Sequence, residues 1–423
     1  MGQSRSAGDR ALAREEIAAT VTRAVSEVKV VDLHTHLYDV RFEGLILRGV
    51  DDLLTYHYLI SEVLRVSDVS AERFYRLSKE RQAALVWDEL FVRRSPLSEA
   101  TRGVITAATG YGLDARREGL DGLRRFAAAM SASEHIDRTL DIAGISHVVM
   151  TNDPFDDDER PVWFEERPRD ERFLAGLRID HLIMHLETSW NMLGEWGYAI
   201  APDFTGKSAH EARRFLADWI GRTGARYAAA SFPPDFSWPD DSVPGRVMRE
   251  SVIPACREAG IPFALMIGVN RRINPALKKA GDTLARADVS AVGRLCREFP
   301  DIRFMVTMLS RENQHELAVM ARKFANLAVF GCWWFVNTPS IVAEITAERA
   351  ELLGLSFVPQ HSDARVVDQL VYKWAHARRV IGEVLAKKYL DLFDSGWAPS
   401  LAEIKRDIEL LFGGLPREWL GIR

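Results

Sequence analysis

Two histidines and an aspartate occupy positions from which they could bind one metal ion. His34 and His36 form an HxH motif in the segment DLHTHL, and Asp363 lies in the segment PQHSDAR. Because residues i and i+2 of a strand point to the same face, both imidazoles can face the same space. Imidazole and carboxylate suit a divalent transition metal such as zinc. The alternatives are a chance HxH in a loop and, for Asp363, a cap on the helix predicted after it.

Short apolar runs alternate with helical patterns along the chain, and we predict these runs as β-strands. Their near-continuous apolar character is typical of parallel strands buried on both faces. The eight predicted strands are Val28–Leu33, Ser146–Thr151, Gly176–Asp180, Arg226–Phe232, Ile261–Gly268, Arg303–Leu309, Leu327–Phe335 and Leu355–His361. Eight strands that alternate with helices predict an α/β protein with a (β/α)₈ (TIM) barrel.

The predicted barrel brings the three metal-binding candidates together. Strands one and eight are neighbours in a closed barrel, and active sites of such barrels lie at the carboxyl ends of the strands. His34 and His36 end strand one, and Asp363 follows strand eight. The sequence therefore predicts one metal centre at the mouth of the barrel.

The stretch between the first two predicted strands, at about 37–145, shows only helical patterning. A minimal barrel needs about 250 residues, so a chain of this length has residues to spare. We interpret this stretch as one large α-helical insertion and the chain, 1–423, as a single barrel domain.

The order of several motifs resembles the uronate isomerases of the amidohydrolase superfamily. The likeness extends over nearly the whole chain and is greatest to the shorter, divergent bacterial branch of that family. The matching segments are DLHTHL (32–37), LLTYHYLISEVLR (53–65), TNDPFDD (151–157), LRID (177–180), TMLSRENQHE (307–316), GCWWF (331–335) and PQHSDAR (359–365). HxH alone is a weak motif, but its combination with His57-Tyr58, Trp-Trp-Phe and Ser-Asp-x-Arg in this order is specific.

The resemblance implies a metal-assisted isomerisation of D-glucuronate to D-fructuronate and of D-galacturonate to D-tagaturonate. Such a reaction moves a proton from C2 to C1, so it needs a base, a group that protonates the carbonyl, and a firm hold on the open-chain sugar. The resemblance implies that His34, His36 and Asp363 hold one divalent ion, zinc or alternatively manganese. This ion would bind the C6 carboxylate and the C5 hydroxyl of the substrate.

The resemblance also implies roles for residues around this ion. Asp363, acting with the metal-bound C5 oxygen of the substrate, would begin the abstraction of the proton from C2. Tyr58 would face the C1 carbonyl and Arg365 the C2 and C3 hydroxyls, and both would stabilise a cis-enediol and pass its proton along. The further substrate-binding candidates are His57, Arg178 and Trp334. For Tyr58 the alternative is helix packing, for Arg365 a surface ion pair, and for Trp334 a place in the barrel core.

Two departures from the wider superfamily favour a single metal. The run Arg226–Phe232 contains no lysine that could bridge two metals after carbamylation, and Met266 stands where many relatives have a histidine. Arg271 and Arg272 both lie where longer family members carry a substrate arginine, and the sequence does not choose between them. A hydrolase or lactonase of the same superfamily acting on another sugar acid is the alternative function. A non-catalytic sugar-acid-binding relative would lack Tyr58, Asp363 or Arg365, and all three are present.

The composition excludes other classes of protein. The 423 residues include 55 Lys and Arg and 60 Asp and Glu, a net charge of −5 that excludes a globally basic nucleic-acid binder. The three cysteines show no CxxC spacing, which is typical of a reducing compartment. The longest apolar run, Leu327–Val336, is shorter than the roughly 20 residues that span a bilayer. We therefore expect a cytoplasmic protein with a small uronic acid as partner, no nucleic acid or membrane partner, and a homo-oligomeric state left open.

Overall fold

A curled parallel sheet forms the centre of the protein. The computed structural model describes residues 10–422. Its strands are β1 (Val30–Thr35), β2 (Ile145–Asn152), β3 (Phe173–Arg178), β4 (Ala228–Phe232), β5 (Phe263–Ile267), β6 (Val269–Asn270), β7 (Thr283–Leu284), β8 (Phe304–Met308) and β9 (Leu327–Val329). Seven strands pair in the order β1-β2-β3-β4-β5-β8-β9, all parallel, while β6 and β7 form a separate antiparallel hairpin. The sheet strands are buried almost throughout, as their apolar runs predict.

Helices surround the sheet and connect most of its strands. They are α1 (Arg14–Glu27), α2 (Val50–Leu54), α3 (His57–Val66), α4 (Ala71–Tyr75), α5 (Lys79–Trp87), α6 (Glu99–Gly110), α7 (Ala115–Ala128), α8 (Ala132–Ala143), α9 (Asp180–Met184), α10 (Leu186–Glu195), α11 (Ser208–Thr223), α12 (Val243–Val247), α13 (Ile253–Ala259), α14 (Val289–Glu298), α15 (Gln314–Ala321), α16 (Pro339–Leu353), α17 (Gln369–Asp394), α18 (Leu401–Glu409) and α19 (Leu415–Leu420). Mixed α/β architecture with a parallel sheet is confirmed. Within residues 10–422, none of these helices is long and apolar enough to cross a membrane.

The prediction of an eighth strand at Leu355–His361 is wrong. Within Leu355–His361, only Val358 pairs with the sheet, in one isolated parallel bridge to Phe330. The reason lies in the following residues: Pro359 has no N–H to donate to a ladder, and the Gln360 side chain accepts from the Cys332 N–H at 2.8 Å. The predicted seventh strand is also shorter, because Gly331 adopts φ 66° and the chain leaves the extended conformation there.

The segment after Val358 nevertheless lies beside β1. The Asp363 N–H donates to the His34 carbonyl at 3.0 Å, and the His36 N–H donates to the Ala364 carbonyl at 2.7 Å. These two bonds attach Asp363 to the carboxyl end of β1 without a regular ladder. The helix after this segment begins only at Gln369, so Asp363 does not cap it.

The described chain between β1 and β2 is helical, as predicted. Helices α2 to α7 form a second hydrophobic cluster that also contains Val366 and Val371 from the beginning of the α17 region, while the apolar side chains of α8 pack in the main core. A buried hydrogen bond of 2.9 Å joins His135 of α8 to Asp368. Asp368 also accepts from the Gly49 N–H at 2.7 Å. The helical segment is therefore fastened to the same stretch of chain that carries Asp363.

Replacing Gly331 by alanine is expected to destabilise the fold by about 2–4 kcal/mol. An added Cβ would lie 1.9 Å from Cδ2 of His361, whose ring is fully buried and cannot move aside. Gly206→Ala is the matched control, because its φ of 65° is the same but nothing lies within 4 Å of the new Cβ. That control should cost only about 1–2 kcal/mol for the left-handed backbone. Urea unfolding measures both, and equal losses would contradict the packing argument.

Candidate active site

Three predicted metal ligands meet at the carboxyl end of β1. Nε2 of His34 lies 3.7 Å from Oδ1 of Asp363, and Nε2 of His36 lies 3.3 Å from the same oxygen. All three ligand atoms fall within 4.8 Å of one another, and this is the single His/Cys/Asp/Glu group of metal-binding geometry among residues 10–422. Asp363 adopts φ 51°, a strained conformation for a non-glycine residue that is common at functional sites.

The hydrogen bonds around these residues leave their lone pairs facing one another. The Tyr227 hydroxyl donates to the Leu33 carbonyl and therefore accepts from Nδ1 of His34 at 3.0 Å. This fixes the proton of His34 on Nδ1 and leaves Nε2 as an acceptor. Arg365 donates to Nε2 of His36 at 3.2 Å, so that nitrogen is also an acceptor. Oδ1 of Asp363 is buried without a donor. A divalent cation would satisfy Oδ1 of Asp363 together with Nε2 of His34, and Nε2 of His36 would bind it in place of the hydrogen bond from Arg365.

Burial keeps the imidazoles neutral, as metal ligation requires. Desolvation, followed by the charge of His36, lowers the pKa of His34 to about 3. Desolvation and then the charge of Arg365 lower the pKa of His36 well below its ordinary value. Both rings are therefore unprotonated at neutral pH and can bind a metal without first losing a proton.

A buried framework holds the Asp363 segment against β1. The Asp32 carboxylate accepts from the Ser362 N–H at 3.0 Å and from the Trp374 indole at 2.8 Å. The Lys373 ammonium donates to the Ser362 carbonyl at 2.5 Å. Burial raises the pKa of Asp32 and lowers the pKa of Lys373. Ser362 is thus held from both sides, which fixes the position of Asp363.

A cavity of about 900 Å³ opens above this group. Its floor is formed by the carboxyl ends of the sheet strands, and it is lined by both metal-site histidines, Asp363 and Met266. Six cationic side chains and three carboxylates line it; the cations are Arg178, Arg271, Arg272, Lys278, Lys279 and Arg365. This excess of positive charge suits an anionic small molecule.

Of the cationic side chains of the cavity, Arg178 and Arg365 make hydrogen bonds to other side chains of the site. Arg178 ends β3 and donates to Asp180 through Nε at 2.9 Å, while Asp180 also accepts from the Ser231 N–H. The Asp180 carboxylate raises the pKa of Arg178. Arg365 makes its side-chain hydrogen bond to His36 alone among the described residues, so the rest of its guanidinium is free to bind a ligand.

An aromatic wall completes the cavity on the side of α3. Tyr56, His57 and Trp334 line it, with His57 edge-on to Trp334 at 5.3 Å between ring centroids. Desolvation lowers the pKa of His57 to about 3, and its Nε2 is buried without a partner. The Trp334 indole N–H is also buried and has no hydrogen-bond partner. The backbone of Trp334 adopts φ 46°, in the left-handed region. Polar atoms of this wall are therefore available to a bound molecule.

The predicted Tyr58 lies next to this wall but is not one of the residues that line the cavity. Its hydroxyl is buried without a partner, and its ring meets Tyr56 edge to face at 4.9 Å and His57 at 4.5 Å. Burial raises the pKa of Tyr58, and the charge of Tyr56 adds to the effect. All the other predicted site residues line the cavity, including both Arg271 and Arg272.

Sequence reasoning missed four residues that shape the site: Tyr56, Tyr227, Asp32 and Lys373. Tyr56 and Asp32 each stand two residues from a predicted site residue, in TYHY and DLH, so adjacency could have found them. Tyr227 and Lys373 act through contacts between distant segments, and no local pattern reveals these contacts.

Comparison with solved structures places the chain in a family. The uronate isomerase from Bacillus halodurans shares 48% identity with it over 98% of both chains, with a TM-score of 0.96. The chain belongs to the uronate isomerase family. No family model and no curated protein matches it.

Two more distant structures show the same fold. They are the uronate isomerase from Thermotoga maritima, at 14% identity and a TM-score of 0.78, and the glucuronate isomerase from Caulobacter crescentus, at 17% and 0.77. Their alignments cover at least 96% of this chain. The shared fold therefore extends over at least 96% of this chain.

The geometry predicts one divalent ion per chain. Dialysis against Zn²⁺ or Mn²⁺ followed by elemental analysis should give a stoichiometry of one for the wild type. Asp363→Asn should lower the affinity by more than about 100-fold, because losing a ligand costs more than losing a supporting group. His315→Ala is the control, since this exposed histidine lies outside the group. Two ions per chain, or unchanged binding by Asp363→Asn, would contradict the site.

Proposed function

We propose that the enzyme isomerises D-glucuronate to D-fructuronate, and D-galacturonate to D-tagaturonate, in this cavity. The observation that carries the proposal is the 48% identity to a uronate isomerase over 98% of both chains. The cavity supports it independently, because an excess of cations surrounds a group of metal ligands. We also propose that the sheet and the segment beside β1 together form an amidohydrolase-type (β/α)₈ barrel, with the helices between β1 and β2 as an insertion, in one domain.

The metal ligands in the proposal are His34, His36 and Asp363, with zinc as the metal and manganese as the alternative. When bound, a divalent ion there acts as a Lewis acid and orients the acidic end of the substrate. The ligand set of two imidazoles and one carboxylate accepts either metal.

Asp363 is the proposed base, supported by its place in the floor of the cavity. Its carboxylate takes the proton from C2 and returns it to C1. Arg365 stabilises negative charge on the oxygens of the cis-enediol, because its guanidinium is always charged and presents several donors in fixed directions. Tyr58 is the proposed donor to the C1 oxygen, and this role requires the cavity wall to move aside, because its hydroxyl is buried next to the wall and does not line the cavity.

The remaining wall residues bind the open-chain sugar. His57 offers a neutral imidazole with an unpartnered Nε2, and Trp334 offers an indole N–H and a ring face. Arg178 is held in one orientation by Asp180, which suits it to a fixed polar group of the substrate. We propose that these groups fix the sugar so that C1 and C2 lie at Asp363.

A metal-dependent hydrolase or lactonase is the less favoured alternative. β4 contains no lysine and β5 ends near the buried Met266, which is a poor ligand for a hard divalent ion. Among the described residues, one group of three metal ligands is present. These features favour a single ion and an isomerase over a two-metal hydrolase.

The metal-loaded enzyme should convert glucuronate or galacturonate to the corresponding ketose. NMR spectroscopy measures this conversion. In D₂O, deuterium should appear at C1 of the product, because a proton removed by a carboxylate can exchange with solvent. Asp363→Asn should lower kcat by about 10³-fold or more, within the range for general-base catalysis. Asp301→Asn, an exposed carboxylate paired with Arg257, is the control and should leave kcat unchanged. Absence of turnover by the metal-loaded wild type would reject the proposed function.

A further inference from the structure

The proposed role of Arg365 requires its guanidinium to point in a fixed direction. Within residues 10–422, this guanidinium makes one side-chain hydrogen bond, to Nε2 of His36 at 3.2 Å. That nitrogen is also a proposed metal ligand, and its single lone pair cannot bind a cation and accept a hydrogen bond at once. In the metal-loaded enzyme, the direction of Arg365 therefore depends on how firmly its backbone is held.

Two kinds of hydrogen bond hold the backbone from Asp363 to Val366. Two bonds between backbone groups attach Asp363 and Ala364 to the end of β1. The next two residues are held by a side chain instead. Oε1 of Gln369 accepts from the Arg365 N–H at 2.8 Å and from the Val366 N–H at 3.1 Å. The backbone of Arg365 is thus restrained by an acceptor that a single substitution removes.

Gln369 is itself held in place. It is the first residue of α17, and only 1% of it is exposed. A hydrogen bond of 2.9 Å joins the preceding Asp368 to Nε2 of His135, and the Asp368 carboxylate also accepts from the Gly49 N–H at 2.7 Å. Both partners of Asp368 belong to the helical segment between β1 and β2. Because these hydrogen bonds are buried, the beginning of α17 cannot shift without breaking them.

We propose that Gln369 is a positioning residue that directs the Arg365 guanidinium into the cavity. This inference rests on the proposed isomerase function. Gln369 does not line the cavity, so it acts through Arg365 and does not touch the substrate. Without its acceptor, the backbone of Arg365 is free to rotate, and the guanidinium moves away from the enediol oxygens. A displacement of about 1 Å at a reacting group is enough to lower turnover by about 10²-fold.

Gln369→Leu tests the proposal in the metal-loaded enzyme. Leucine fills the buried space without offering an acceptor, so kcat should fall by about 10- to 100-fold. KM should stay within about threefold, because the lost interaction belongs to the transition state. Gln369→Glu is the conservative variant, since its carboxylate still accepts from both N–H groups, and its kcat should stay within about threefold of the wild type. If Gln369→Leu does not fold, Gln369→Asn replaces it, because the shorter amide cannot reach both N–H groups.

Asn326→Leu is the matched control. The Asn326 amide also holds backbone groups, because it donates to three carbonyls between positions 296 and 302 at 3.0 or 3.1 Å. It immediately precedes β9, at the amino end of the sheet and away from the cavity. Urea unfolding should show a loss of stability for both leucine variants, but only Gln369→Leu should lose kcat. The metal content of Gln369→Leu should match that of the wild type.

The double variant Gln369→Leu/Arg365→Gln tests whether Gln369 acts through Arg365. If it does, the double variant should be no slower than Arg365→Gln alone, because no guanidinium remains to be positioned. A purely structural role of Gln369 would instead give losses that add.

The outcomes separate this inference from the function on which it rests. A wild type without turnover would reject the isomerase and this inference with it. An active wild type with Gln369→Leu within twofold of its kcat would overturn the role of Gln369 alone. A raised KM with unchanged kcat, or a loss of metal from Gln369→Leu, would also overturn it. Additive losses in the double variant would show that Gln369 does not act through Arg365.

Discussion

The site depends on three hydrogen-bond acceptors that are held together in the floor of the cavity. Nε2 of His34, Nε2 of His36 and Oδ1 of Asp363 converge, and burial makes this arrangement unfavourable unless a cation lies among them. A protein can maintain such a site only if the surrounding structure prevents the side chains from turning away. Much of the described core near β1 serves this purpose.

The segments on both sides of β1 restrain the side chains of the three candidate metal ligands. Tyr227, just before β4, sets the tautomer of His34 through its hydroxyl. Asp32 and Lys373 fix Ser362 from opposite sides, and two backbone bonds attach Asp363 and Ala364 to the end of β1. Most of these partners are buried and paired, so substituting one would leave another without its partner. The free energy that holds the three candidate metal ligands together is therefore contributed by a network of buried hydrogen bonds.

The helical segment between β1 and β2 provides one wall of the cavity. It supplies Tyr56, His57 and Tyr58 at the beginning of α3, and the Tyr75 hydroxyl donates to the Leu277 carbonyl of the loop between β6 and β7 at 2.6 Å. That loop carries Lys278 and Lys279 over the cavity. The anchor between His135 and Asp368 holds the same segment beside the metal ligands. The cavity and the candidate metal ligands are thus built from segments that are far apart in sequence.

Local patterns in the sequence determined a large part of this protein. The period of a strand places His34 and His36 on one face, and continuous apolar runs identify the parallel strands, because both follow from neighbouring residues alone. Tertiary structure decided the rest. Pro359 limits the expected eighth strand to one bridge, and Gly331 shortens the seventh. The short β6–β7 hairpin forms, and Tyr56, not Tyr58, lines the cavity. These features depend on contacts between segments that are not adjacent in the chain, and the spacing of residues along the chain does not specify such contacts.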